Sequence, residues 1–245
     1  MKRRVLIIIP ALNEALSITK VLDELRTTCP EHDVLVVDDG SSDATGAVAA
    51  AAGAAVLRLP YNLGVGGAMR AGYRYARERG YTVAVQVDAD GQHDTAYVPA
   101  LIELLERADV AIGARFAGTG TYSSAGLPRR VAMWLLAKVL SVLAGTRMTD
   151  VTSGFRACNA RAIAVFATHY PVEYLGDTVE SLVIALRSNC VVRQVPVVMR
   201  ARREGRASQS TARSLVYLAR VAVALGLALV RRWEPVETAS EGVRA

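Results

Sequence analysis

The sequence predicts an α/β chain whose mostly parallel sheet is covered by helices on both faces, and three observations predict it. Short apolar, β-branched runs alternate with helical stretches four times before Asp90. Such runs, apolar without a break, are what parallel strands buried on both faces require. Each run also ends at a polar residue: Asn13-Glu14 after the first, Asp38-Asp39 after the second, Asn62 after the third, Asp88 and Asp90 after the fourth. Strands linked by right-handed helical crossovers point the same way, so these four clusters face one crevice at the carboxyl ends of the strands.

The elements follow in order. Val5 to Ile9 is a strand ended by Pro10, and Asn13 to Arg26 carries helical spacing through Leu16, Val21, Leu22 and Leu25. Val34 to Val37 is the second strand. It runs into Asp38-Asp39-Gly40-Ser41-Ser42-Asp43, where Asp43 is placed to cap the next helix. That helix covers Ala44 to Ala52 and stops at Gly53; Ala55 to Leu59 is the third strand. A helix over Gly67 to Arg79 ends at Gly80, and the fourth strand spans Thr82 to Val87. Beyond residue 108 the pattern loosens. Val110 to Gly113 is a short strand leading to Arg115, Leu127 to Ala144 a long apolar helix, and Val191 to Met199 one more strand.

With 245 residues, 52% hydrophobic and 21% charged, the chain suits one large domain with a sizeable core. The reading divides it into a domain over 1–210 (a nucleotide-binding half, 1–108, and an acceptor half, 109–210), an apolar helix over 211–233, and a disordered tail over 234–245. Net charge is +6, gathered at Arg129-Arg130, around Arg200 to Arg213, and at Arg231-Arg232. Aromatics make up 6% of the chain and none lies between Arg200 and Arg213, which argues against nucleic acid and for phosphate or an anionic membrane surface. The helix over 127–144 is too short to span a bilayer, and Arg220 interrupts the later apolar stretch. Peripheral contact at the cytoplasmic face of the membrane, anchored by Arg231, Arg232 and Trp233, is the reading that follows. Cys29, Cys158 and Cys190 have no metal-ligand spacing and read as ordinary thiols of a reducing cytosol.

The strongest chemical signal is Asp88-Ala89-Asp90-Gly91-Gln92. Two carboxylates one residue apart at the end of a buried strand repel unless a cation lies between them. Hard oxygen ligands suit Mg²⁺ or Mn²⁺ shared with substrate phosphates, and Gln92 can add an amide oxygen. Asn62-Leu63-Gly64-Val65-Gly66-Gly67 lacks the lysine of a P-loop; its glycines are expected to let a helix N-terminus approach the nucleotide. His93, beside the carboxylates, is expected near the ion or facing solvent, not ligating it.

Taken together, Ile8-Ile9-Pro10-Ala11-Leu12-Asn13-Glu14, Val37-Asp38-Asp39-Gly40-Ser41, Asn62-Leu63-Gly64 and Asp88-Ala89-Asp90-Gly91-Gln92-His93 resemble the ordered motifs of family-2 inverting glycosyltransferases. The resemblance covers roughly residues 5–210. It is strongest to the branch of dolichol-phosphate mannosyltransferase and bacterial polyprenyl-phosphate glycosyltransferases. It implies the single-domain, Rossmann-like GT-A fold and transfer of a sugar from a nucleotide-sugar donor to a polyprenyl phosphate. By resemblance, Pro10, Asn13, Glu14, Asp38, Asp39, Gly64 and Asp88 bind the donor, and Asp88, Asp90 and Gln92 hold Mg²⁺ or Mn²⁺. Arg115 and Arg202 stabilise the phosphates, while Arg129 or Arg130, with Ser153 and Arg156, shape the acceptor side. The residues after Gly205, Arg206-Ala207-Ser208-Gln209, depart from the lipid-linked pattern, and no clear transmembrane pair follows. A hydroxyl acceptor would instead need a carboxylate base: Asp177 first, then Glu180 and Glu173. Asp177 can also simply charge the first turn of the helix after it. A sugar nucleotidyltransferase is the alternative of a different class, but its usual basic glycine-rich loop is missing after the first strand.

Overall fold

The computed structural model describes residues 3–115, 127–172 and 177–200, with the side chains of 127–135 outside that description. The elements run β1 (Val5–Ala11), α1 (Ile18–Thr28), β2 (Asp33–Asp38), α2 (Thr45–Ala51), β3 (Ala55–Arg58), α3 (Gly64–Glu78), β4 (Val83–Gln86), α4 (Val98–Leu104), β5 (Val110–Ala114), α5 (Leu127–Ala144), β6 (Arg156–Asn159), α6 (Ala160–His169), α7 (Asp177–Arg187) and β7 (Val192–Pro196). The strands form one sheet in the order β3-β2-β1-β4-β6-β5-β7. All pairings are parallel except those of β6, which lies antiparallel between β4 and β5.

Alternation along each strand sends side chains to two faces. Leu6 and Ile8 of β1 join α3, α5, α6 and α7 in one buried cluster. Val5, Ile7 and Ile9 join α1, α2 and α4 in the other. The first cluster is centred on Tyr73, Phe166 and Tyr170, whose ring centroids lie 5.2–5.4 Å apart. Among the described residues no helix is long and apolar enough to cross a membrane.

Three boundaries differ from the sequence reading, each for a local reason. α1 begins at Ile18 and not at Asn13, because Asn13 takes a left-handed backbone (φ 55°) and the next amides are already bonded elsewhere. Asn13 N–H donates to Ser41 Oγ (3.0 Å), Glu14 N–H to Thr45 Oγ1 (2.8 Å) and Ala15 N–H to Asp43 Oδ2 (3.2 Å). α3 begins at Gly64 and not at Gly67, because Asn62 Oδ1 accepts the Gly64 N–H (2.8 Å) and Asp39 Oδ1 the Leu63 N–H (2.7 Å). β7 stops at Pro196. Further on, the Arg200 N–H donates to the Gln92 carbonyl (3.0 Å), so this segment leaves the sheet for the loop after β4.

The sequence pattern marks no element at β6, α4 or α6. Arg156-Ala157-Cys158-Asn159 has no β-branched residue, so nothing local marks it as a strand. Its place is won by pairing on both sides.

α3 lies so close to β1 that a Cβ on Gly72 would stand 2.5 Å from Ile8 Cγ2. Gly72→Ala should therefore lower stability by about 1–3 kcal/mol through overpacking, outweighing the helix propensity that alanine adds. A urea midpoint equal to or above that of the wild type would contradict this packing.

Candidate active site

The strand order reverses direction beside β1, which has β2 on one side and β4 on the other. At such a switch point two neighbouring loops diverge and leave a crevice at the carboxyl ends. A cleft of about 280 Å³ opens there. It is lined by Pro10, Ala11, Leu12 and Glu14 after β1, by Asp39 after β2, by Gly64, Val65 and Ala68 of α3, and by Asp88, Ala89 and Asp90 after β4. A larger hollow of about 440 Å³ sits at the opposite edge, among Arg26, His32, Asp33 and Tyr81. The carboxylates that follow β2 and β4 converge on the smaller cleft, which makes it the candidate site.

Asp39 ties the end of β2 to the start of α3. Burial pushes its carboxyl up, the Leu63 and Gly64 amides draw it down, neighbouring Asp38 adds to the rise, and the balance lies above the usual aspartate range. Asp38 itself is buried, accepting from the Ser41 N–H (2.9 Å) and lying 3.7 Å from Arg58. The Asn13 amide faces the loop after β2, where its Oδ1 accepts from Ser42 N–H (2.9 Å) and Oγ (3.1 Å). Glu14 Oε2 accepts from Ser17 Oγ (2.5 Å). Of the four expected donor residues at these two strand ends that carry polar side chains, Asp39 and Glu14 line the cleft, while Asp38 and Asn13 brace the loops behind it.

The glycines of α3 serve a purpose other than the one expected. A Cβ on Gly66 would meet the Pro171 carbonyl at 2.3 Å and Asp177 Cβ at 3.3 Å, and one on Gly67 would meet Leu63 Cβ at 2.4 Å. They admit neighbouring protein rather than nucleotide; Gly64 alone of the three lines the cleft. The close approach at Gly66 brings Asp177, the first residue of α7, against the N-terminus of α3.

The Asp88 carboxylate has a neighbour at each oxygen. Gln86 Nε2 donates to Oδ1 (3.2 Å), and His93 Nε2 lies 3.4 Å from Oδ2. His93 Nδ1 accepts the Asp88 N–H (3.0 Å), so the ring hydrogen sits on Nε2. The imidazole is buried and stacks on Phe155 with centroids 4.7 Å apart. Two residues on, Asp90 Oδ1 accepts the Gln92 N–H (3.0 Å). No group of three or more His, Cys, Asp or Glu side chains forms a metal cage among the described residues. Two carboxylates on one turn nevertheless fit a hard divalent ion that keeps positions for substrate phosphates, and their outer partners are neutral N–H donors of the kind that orient metal ligands.

The loop after β4 is braced from outside. Arg200 pairs with Glu24 of α1 (2.5 Å) and with Asp94 (2.9 Å), and its carbonyl faces Gln92 Nε2 (3.5 Å). Burial raises the Glu24 carboxyl, but its bonds from Arg200 and Thr95 outweigh that and leave it below the usual range.

The remaining expected residues form a second layer. Arg115 is engaged with Asp150: Nε to Oδ2 at 2.6 Å, Nη2 to Oδ1 at 2.9 Å, and its own N–H to Oδ2 at 3.1 Å. Asp150 is fully buried, and sequence reasoning missed it. Burial raises its carboxyl, yet the Arg115 bonds and charge hold it below the ordinary range. Ser153 is also buried. Arg156, expected on the acceptor side, is wholly buried. Its guanidinium donates to the carbonyls of Ser153 (2.7 Å) and Thr178 (2.8 Å) and to Ser181 Oγ (2.8 Å). It thereby joins the loop before β6 to the start of α7.

Asp177 is 8% exposed. Burial pushes its carboxyl up, Arg156 opposes this, Asp88 adds to it, and the result lies above the aspartate range. Glu180 is half-buried on α7. Arg129 and Arg130 lie in the first turn of α5, with side chains outside the described residues; Glu173 and Arg202 also fall outside them.

Residues 6–166 match the family model described as glycosyl transferase family 2. The undecaprenyl-phosphate mannosyltransferase of Micrococcus luteus is 41% identical over 162 residues, 64% of this chain and 67% of that protein. The polyprenol monophosphomannose synthase of Mycolicibacterium smegmatis is 35% identical over 63% of this chain, and the match spans 61% of its length. Among solved structures, glucosyl-3-phosphoglycerate synthase from Mycobacterium tuberculosis, in complex with Mn²⁺, UDP and its product, superposes with a TM-score of 0.70. That match covers 92% of this chain and 80% of the other, at 20% identity. The same enzyme with Mg²⁺ and UDP gives 0.68.

Two stability measurements test the electrostatics. Arg115→Ala strands a buried carboxylate and should cost about 2–4 kcal/mol at neutral pH. Because the Asp150 carboxyl is depressed, that stabilisation is present above the ordinary aspartate value and lost as pH falls through the native one. The gap to wild type should therefore narrow below about pH 4 in urea titrations. Asp177 has the opposite sign. Its raised carboxyl favours the fold below the ordinary value, an advantage lost as pH rises through the native one. Asp177→Asn should show a higher urea midpoint than wild type at pH 8, with the difference shrinking toward pH 4; a lower midpoint at pH 8 would refute a destabilising ionised Asp177.

Proposed function

The chain belongs to glycosyl transferase family 2, and from that membership and the geometry of the cleft we propose that it transfers a sugar, with inversion, from a nucleoside-diphosphate sugar to a polyprenyl phosphate. The donor side rests on one observation: the Asp88–Asp90 turn, with the Asp88 carboxylate bonded by Gln86, forms a wall of the switch-point cleft. The polyprenyl phosphate rests on the relatives named above, whose own names specify such lipids.

In this reading Pro10, Leu12, Glu14, Asp39 and Gly64 receive the base and ribose, with the Asp39 carboxylate accepting from a base edge or a ribose hydroxyl. Asn13 and Asp38 keep the two loops in register. Asp88, Asp90 and the Gln92 amide oxygen would hold Mg²⁺ or Mn²⁺. When bound, the ion offsets the charge that grows on the departing diphosphate. A lipid phosphate oxygen attacks the anomeric carbon from the face opposite the diphosphate, the C1–O bond to the diphosphate breaks, and the nucleoside diphosphate leaves. The attacking oxygen is already anionic at neutral pH and needs no base.

Arg202 and either Arg129 or Arg130 are assigned to phosphates of donor and acceptor, where permanently charged, bidentate donors are most effective. Arg115 and Arg156 contribute indirectly. Through Asp150 and Ser153 they hold the 149–154 loop against the cleft. The apolar stretch 211–233, with Arg231, Arg232 and Trp233, is assigned to peripheral contact with the membrane that carries the acceptor.

A second reading has one observation in its favour. The raised carboxyl of Asp177 beside the cleft suits a general base, which a hydroxyl acceptor would require.

Purified protein assayed with a panel of GDP- and UDP-sugars, with Mg²⁺ or Mn²⁺ and with or without a short polyprenyl phosphate, separates the two. Metal-dependent turnover stimulated by the lipid phosphate is expected, and Asp90→Ala should lower kcat/KM at least about 100-fold. Turnover indifferent to the lipid would overturn the polyprenyl assignment. Asp177→Asn should then cost about 10²–10⁴-fold with a hydroxyl acceptor.

A further inference from the structure

Gln86 is the only polar side chain of β4, a strand that otherwise reads Val83-Ala84-Val85, and it is 3% exposed. It pairs across the sheet with Arg156 and shares the face of Ala84, which belongs to the apolar cluster under α3 and α6. An amide in such a place is a burden on the fold unless both of its ends are bonded. Only one end is. Nε2 donates to Asp88 Oδ1 at 3.2 Å, while Oε1 is buried with no hydrogen-bond partner among the described residues. Asp88 dictates which way round the amide sits, since the reverse would set its carbonyl against the carboxylate.

The space beside it is kept open for that contact. A Cβ on Gly154 would stand 2.9 Å from Gln86 Nε2 and 3.5 Å from both Asp88 carboxylate oxygens. Any side chain at 154 would press on the amide and on the carboxylate together. The Arg115–Asp150 pair and Arg156 hold the loop that carries Gly154 in this position.

We propose that Gln86 is a positioning residue for the divalent ion: its amide N–H fixes Asp88 Oδ1, so that the carboxylate presents its remaining lone pairs to the cleft. The unpartnered Oε1 is the stability cost of that arrangement. This rests on Asp88 being an ion ligand, and the test separates the two claims.

Gln86→Met has nearly the same shape and lacks both polar atoms. The wild type and this variant are compared by thermal unfolding without metal, and by titration with Mn²⁺ in the presence of GDP or UDP, with free Mn²⁺ read by electron paramagnetic resonance. A positioning role gives an unchanged or higher Tm together with Mn²⁺ binding weakened about tenfold or more. In an Asp88→Asn background the same substitution should add no further loss, because the amide acts through that carboxylate. An unfolded or less stable Gln86→Met, an unaltered Mn²⁺ affinity, or losses that add in full would each overturn the proposal. A wild type that binds no Mn²⁺ with either nucleotide would overturn the metal assignment, and the proposal with it.

Discussion

The site depends on bringing several carboxylates to one edge of a buried sheet. Asp39, Asp88 and Asp90 line one small cleft and Asp177 packs beside it; burial, with Asp38 beside Asp39 and Asp88 near Asp177, pushes the Asp39 and Asp177 carboxyls up. Much of the surrounding structure answers that constraint. Backbone amides at the start of α3 serve Asp39, the neutral amide N–H of Gln86 serves Asp88, and a buried guanidinium, Arg156, lies near Asp177. A divalent ion on Asp88 and Asp90 would complete the compensation. The same arrangement would suit a ligand carrying a cation and a diphosphate.

The second half of the chain supports the first mechanically as much as chemically. β6 inserts antiparallel beside β4 and carries Arg156 under α7. The loop before it is fastened by Arg115 to Asp150 and by Gln194, which accepts from Thr149 and donates to the Asp150 carbonyl. This places Gly154 against Asp88 and Gln86, so the surroundings of the Asp88 carboxylate are set in part by a residue far along the chain. On the far side, Arg200 grips Glu24 and Asp94 and ties the chain after β7 to the loop after β4. The turn bearing the carboxylates is thus held from three directions.

Much of this was legible in the sequence, for reasons that are local. Buried parallel strands must be continuously apolar and must end where polar ligands begin. The alternation through Gln86 and the acids at Asp38, Asp39, Asp88 and Asp90 therefore announced both the sheet and the edge where its candidate site lies. The motif series extended that reading to the family. β6 was not legible, because a four-residue edge-to-edge insertion takes its identity from its neighbours. Asp150 was equally silent, since an aspartate in a loop carries no mark of the arginine that will reach it. Gln86 did leave a trace, as one amide in an apolar strand, but only the carboxylate and the glycine facing it give that trace a meaning.

What the sequence by itself determined is the class of fold, the edge of the sheet where the polar clusters gather, and the carboxylates and amides presented there. These depend on periodicity and on residue type, which are properties of short segments. What only the tertiary structure decided is which polar groups face the cleft and which stand behind it. Arg115, Arg156, Asp38 and Asn13 carry the same charges and amides as groups that touch ligands, and they are turned to Asp150, to the start of α7 and to neighbouring loops. That distinction rests on burial and on partners distant in the chain, because a charge removed from water must find its counterpart wherever the fold happens to bring one.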